Sequence, residues 1–101
     1  MMYCIIMYME FEWDDNNRDK NKQKHSVEWH EAEEIFFNRP VLVLEDIMHS
    51  HTEKRFIAYG MTDTGRLLMC VYTVRQSQIR IISARDQNKK ERSYYQLHND
   101  T

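Results

Sequence analysis

Residues 78–95 read Q-I-R-I-I-S-A-R-D-Q-N-K-K-E-R-S-Y-Y, and the architecture follows from how this run changes character half-way. Its first half is β-branched (Ile79, Ile81, Ile82), with Arg80 inside it and Arg85 at its end, which predicts a strand over Gln78–Arg85. Its second half is polar and basic (Lys89, Lys90, Arg92), which predicts a closing helix over 87–97. Upstream, Val41–Glu45, Lys54–Thr62 and Arg66–Arg75 read as three more strands. Thr62-Asp63-Thr64-Gly65 and Gln76-Ser77 supply the turns between the later ones. Turns that short force antiparallel neighbours.

Further upstream, Trp29, Ala32, Ile35 and Phe36 make one apolar stripe at helical spacing, predicting an amphipathic helix over 27–37 that Asn38-Arg39-Pro40 ends. Asp14–His25 has no apolar face. Its aspartates can cap a helix start and its lysines gather at the end, in the order the helix dipole favours. Met2–Trp13 reads as a strand. The expected fold class is therefore α+β: one domain over residues 1–101, with a twisted antiparallel sheet, two N-terminal helices and a C-terminal helix.

A two-residue turn at Gln76-Ser77 fixes a register. Arg75 faces Gln78, Thr73 faces Arg80, Tyr72 faces Ile81 and Leu68 faces Arg85. Side chains alternate along a strand, so Arg75 and Arg80 share one face while Arg66, Tyr72, Ser83 and Arg85 share the other. A bulge before Arg85 would merge the two sets.

The net charge of −2 hides an asymmetry. Residues 1–53 carry 5 basic and 12 acidic side chains, and residues 54–92 carry 9 basic and 3 acidic ones. A surplus of that kind in the second half points to an anionic partner. The competing reading is mutual neutralisation of the halves across the fold. Cys4 and Cys70 both lie in apolar runs, as buried free thiols of a reducing compartment would. Met1–Met9 is too short to span a bilayer and lacks a basic leader, so no membrane partner is expected. His49-Ser50-His51 offers two imidazoles without further ligands, and no metal or other cofactor is expected.

A longer pattern joins these pieces. Phe11-Glu12-Trp13-Asp14 leads to Asn21 and Lys24-His25, then through Val27 to Glu31-Ala32 and Phe36-Phe37. Glu45-Asp46, Arg55-Phe56, Gly60, Gly65-Arg66-Leu67-Leu68 and Val71-Tyr72-Thr73 follow, and Arg80 to Arg85, Glu91-Arg92 and Tyr95 close it. In order and spacing this resembles the BrnT family of type II toxins, whose fold is similar to that of RelE-type ribonucleases. Two positions depart from it. Ser26 stands where glycine is usual, which costs roughly 1 kcal/mol if the backbone is left-handed there. Gln87 replaces a small residue at the start of the last helix.

The resemblance implies metal-independent RNA cleavage in the cytoplasm, arresting translation and growth. It also implies a cognate antitoxin of the BrnA type, whose ribbon-helix-helix part would tie the pair to operator DNA. Cleavage without metal requires the 2′-OH to attack its neighbouring phosphate, a base to take its proton, and cations to stabilise the phosphorane. Arg85 and Arg80 are the expected stabilisers, Lys24 or His25 the acid–base group, and Arg66, Arg75 and Tyr72 the RNA-binding residues. Duller roles stand beside these: Lys24-His25 as a helix terminus, Glu91-Arg92 as an ion pair, and Tyr72, Trp13 and Trp29 as core. A non-catalytic binding module of the same fold, or a toxin acting by sequestration, would carry the same residues.

Overall fold

The computed structural model describes residues 10–12, 26–50 and 52–99. The helix expected over Asp14–His25, most of the first strand, and Cys4, Trp13, Lys24, His25 and His51 lie outside the described residues. Strand β1 (Glu10–Glu12) is followed by helix α1 (Trp29–Glu34), β2 (Leu42–Glu45), a 3₁₀ turn (Ile47–His49), β3 (Phe56–Met61), β4 (Leu67–Arg75), β5 (Gln78–Asp86) and α2 (Lys89–Asn99). They form one five-stranded sheet in the order β1-β5-β4-β3-β2.

The sheet is mixed rather than antiparallel throughout. Strands β2 to β5 pair antiparallel, as their short turns require, but β1 runs parallel to β5, with Phe11 beside Ile79 and Glu12 beside Arg80. In the chain, α1 and three strands lie between β1 and its partner β5, so no tight turn dictates its direction. Gln76 and Ser77 both adopt positive φ (50° and 65°), the primed turn whose twist matches that of the hairpin it closes.

One face of the sheet packs on α1. Ala58, Leu68, Cys70, Tyr72, Ile79, Ile81 and Ala84 meet Ala32, Ile35 and Phe36 there, with Phe11 against both Phe36 and Phe37. Gly60 sits where a Cβ would lie 2.7 Å from the Cβ of Ile35, so the helix can approach only because that side chain is missing. Trp29 leaves its predicted stripe: it is 44% exposed, because α1 begins at that residue and its ring lies beyond the sheet's cover, edge-on to His30. Helix α1 is held at its start by a capping box between Glu28 and Glu31. Ser26, at φ 55°, occupies the left-handed backbone that glycine usually takes.

The β4–β5 register departs from the regular one after four pairs. Arg75–Gln78, Thr73–Arg80 and Tyr72–Ile81 stand as expected, but Val71 then pairs with Ser83, leaving Ile82 as the extra residue of a bulge. Leu68 consequently faces Asp86 rather than Arg85, and Arg85 pairs across from Met69. Arg85 thereby joins the face of Arg75 and Arg80, while Arg66 does not. Arg75, Arg80, Ser83 and Arg85 share the face away from α1, while Tyr72 lies on the core face.

Gln87 is buried. Its amide donates to the carbonyls of Gly60 and Leu68, so the larger residue ties the ends of β3 and β4 together where α2 begins.

Candidate RNA-binding site

Each arginine singled out above has a different degree of freedom left. Arg66 is saturated: its Nε and Nη2 grip Asp86 (2.7 and 3.1 Å), and Nη1 donates to the Ser26 carbonyl and to Glu31. This network ties α1 and the chain before it to the β4–β5 end of the sheet. Arg75 spends its side-on fork, Nε and Nη2, on Glu53 at 2.8 and 2.9 Å. That fork is the largest influence holding the Glu53 carboxyl below its ordinary range. Arg80 lies close enough to the same carboxylate to lower it further, and Glu12 stands beside Arg80 on β1.

Arg85 is built otherwise. Its end-on pair, Nη1 and Nη2, meets Glu91 at 2.8 and 3.0 Å, and Nη1 also donates to the Asp86 carbonyl at 3.0 Å. Its Nε–H and outer Nη2–H, which leave the planar guanidinium in the same direction, have no partner among the described residues. That parallel pair is the arrangement that grips a phosphate or carboxylate. Arg85 is thus anchored by one edge, and the other is unpartnered among the described residues. Glu91 was expected to pair with Arg92; instead Arg92 donates to the Gln87 carbonyl, and Glu91 also accepts from the Asn88 amide at 2.8 Å. Burial alone would raise the Glu91 carboxyl, but the Arg85 fork and the Asn88 amide outweigh it and hold it below its usual value.

Arg85, Met69, Tyr59 and Leu42 form one row across the sheet. Tyr59 lies over this face beside Glu91, and Tyr94 from α2 meets it edge-on with ring centroids 6.0 Å apart. Burial first, and then the Glu91 charge, push the Tyr59 phenol up, so it stays neutral. Tyr94 also contacts His98 one helical turn on, at 4.3 Å. Leu44, Tyr59, Lys90, Glu91 and Tyr94 line a cavity of about 300 Å³ next to the Arg85 head group.

The structure therefore brings Arg85, Arg80 and Arg75 to one face and leaves Arg66 at its end in an ion network. Tyr72 is in the core, stacked on Phe56 and edge-on to Phe36, and burial pushes its phenol up to about 12. Tyr59, Tyr94, Lys90 and His98 were missed by sequence reasoning. A signal existed for Tyr59: Phe56, Ala58 and Gly60 alternate inward on β3, so Tyr59 must point to the other face. His49 bonds Asp46 at 2.9 Å, and the described residues contain no cluster of three or more metal-ligating side chains.

The family model for the ribonuclease toxin BrnT of type II toxin-antitoxin systems matches residues 13–91. No curated protein matches the chain. Among solved structures, the fold is similar to that of the Brucella abortus ribonuclease toxin BrnT, determined at 1.1 Å. The TM-score is 0.61 at 19% identity, over 80% of this chain and 99% of that one.

Proposed function

The chain belongs to the BrnT family of ribonuclease toxins of type II toxin-antitoxin systems, and on that footing we propose that it is a metal-independent endoribonuclease whose phosphate ligand is Arg85. The open fork of Arg85 is the observation that carries this reading. A guanidinium oriented by Glu91 on one edge presents two parallel donors to the phosphorane without having to give up its anchor. Arg80 and Arg75 lie on the same face and steer the flanking backbone, with Glu53 limiting their charge. Arg66 has no donors to spare and serves the fold, and Tyr72 is too deeply buried to touch RNA.

Lys24 or His25 remains the acid–base group of this mechanism: it would take the 2′-OH proton and return one to the leaving oxygen. The protein acts as a single domain in the cytoplasm. Its partner is a ribbon-helix-helix antitoxin of the BrnA type that carries the pair to operator DNA. No helix among the described residues is long and apolar enough to cross a membrane.

Incubation of the purified protein with RNA in excess EDTA tests the proposal. The expected result is internal cleavage with 2′,3′-cyclic phosphate ends. Cleavage only on addition of a divalent metal would overturn it.

A further inference from the structure

We infer that the cavity between β2, β3 and α2 binds one unstacked base of the RNA, next to the phosphate held by Arg85. The inference rests on the ribonuclease reading and gives it a base-recognition subsite. Leu44 and the rings of Tyr59 and Tyr94 form apolar walls, and about 300 Å³ lies at the small end of ligand sites, suited to one planar base. Tyr94 is 37% exposed, so a ring surface is open to stacking despite its contacts with Tyr59 and His98.

Charge selects the occupant. Lys90 lines the cavity, and Arg85 is joined to it through the lining carboxylate of Glu91. Glu91, the cavity's one carboxylate, is neutralised by the other edge of Arg85 and by the Asn88 amide, so it does not repel an anionic chain. An aromatic floor with a cationic rim is how proteins hold single-stranded RNA, by stacking the base and pairing its phosphate.

The test uses 2′-O-methylated RNA oligonucleotides, which cannot be cleaved, with 2-aminopurine or an abasic residue at each position in turn. In fluorescence titrations one position should be quenched on binding, and an abasic residue there should weaken binding about ten-fold. Tyr94→Ala should weaken the intact oligonucleotide to a similar extent and leave the abasic one unchanged. Tyr94→Phe should behave as the unaltered protein. Tyr94→Leu, which keeps bulk and guards against a folding defect, should behave as Tyr94→Ala.

Equal binding of intact and abasic RNA by all four proteins would overturn the inference while leaving cleavage in EDTA intact. So would Tyr94→Ala or Tyr94→Leu abolishing antitoxin binding without changing RNA affinity, which would make the cavity a protein-docking pocket. Base-dependent binding by a protein that cleaves no RNA would instead sustain the cavity and overturn the ribonuclease reading.

Discussion

Replacing Arg85 by alanine separates anchoring from chemistry. The substitution removes two charge-assisted bonds to Glu91 and one to the Asp86 carbonyl. The pair is part-exposed, with side chains at 32% and 15%, and Glu91 keeps its bond from Asn88. Solvent screening and that surviving partner limit the loss to about 1–2 kcal/mol. For a domain of this size the melting temperature should fall by roughly 5–15 °C. A domain stable by about 5 kcal/mol or more would still be over 99% folded at 25 °C after such a loss. Unfolding therefore cannot produce a large drop in activity. Loss of a phosphorane donor can, and should cost about 10²-fold or more in single-turnover RNA cleavage. Glu91→Gln is the matched control: it weakens the same pair, lowers the melting temperature comparably, and leaves the open fork in place, so cleavage should fall less than about ten-fold. Arg85→Lys should restore little, because a point charge does not supply two parallel donors. Equal activity losses in Arg85→Ala and Glu91→Gln, or full activity per folded molecule in Arg85→Ala, would refute the catalytic role.

Four further outcomes are expected. Because the Glu91 carboxyl is held below its unfolded value, its ion pair contributes stability above about pH 4.5 that disappears as pH falls through the folded value; urea unfolding from pH 7 to pH 3 should show a shallower acid decline for Glu91→Gln than for the unaltered protein. Gly60→Ala drives a methyl into Ile35 and should lower stability by about 1–3 kcal/mol in thermal unfolding; an unchanged melting temperature would mean that α1 does not pack as described. Cys70 is fully buried and its thiol is pushed up by burial, so in a Cys4→Ser background iodoacetamide should label it only in denaturant. A complex with the antitoxin should show the Arg85 fork occupied or covered, and a complex leaving it in open solvent would require inhibition by another route.

The charge asymmetry of the chain has two destinations. Glu53 takes up Arg75, Glu31 helps to take up Arg66, and Glu12 stands beside Arg80, so part of the acidic first half neutralises basic residues of the second within the fold. Arg85 draws its carboxylate from its own stretch instead, six residues on. That local partner fixes the guanidinium while leaving its side-on fork open. A count of charges sees the surplus but not this division, since edges of a guanidinium are assigned by geometry.

The four later strands and their antiparallel pairing, the β4–β5 turn and its first four cross-strand pairs were legible because period-two patterning and a two-residue turn leave few alternatives. The direction of β1 was not, because a long connection does not constrain it. Nor was the bulge at Ile82: Ile-Ile-Ser-Ala continues a regular strand as well as it interrupts one, and only packing chooses between them. The choice has consequences. In the unbroken register Arg85 would fall on the face that α1 and Tyr72 fill, where a guanidinium without an acidic partner is costly. One extra residue returns Arg85 to the outer face beside Glu91 and Tyr59, and at the same time lets Ala84 take the inward position next to Cys70. Burial of Ala84 and exposure of Arg85 are thus the same event. The bulge that completes the core is also what brings the arginine to the outer face of the sheet.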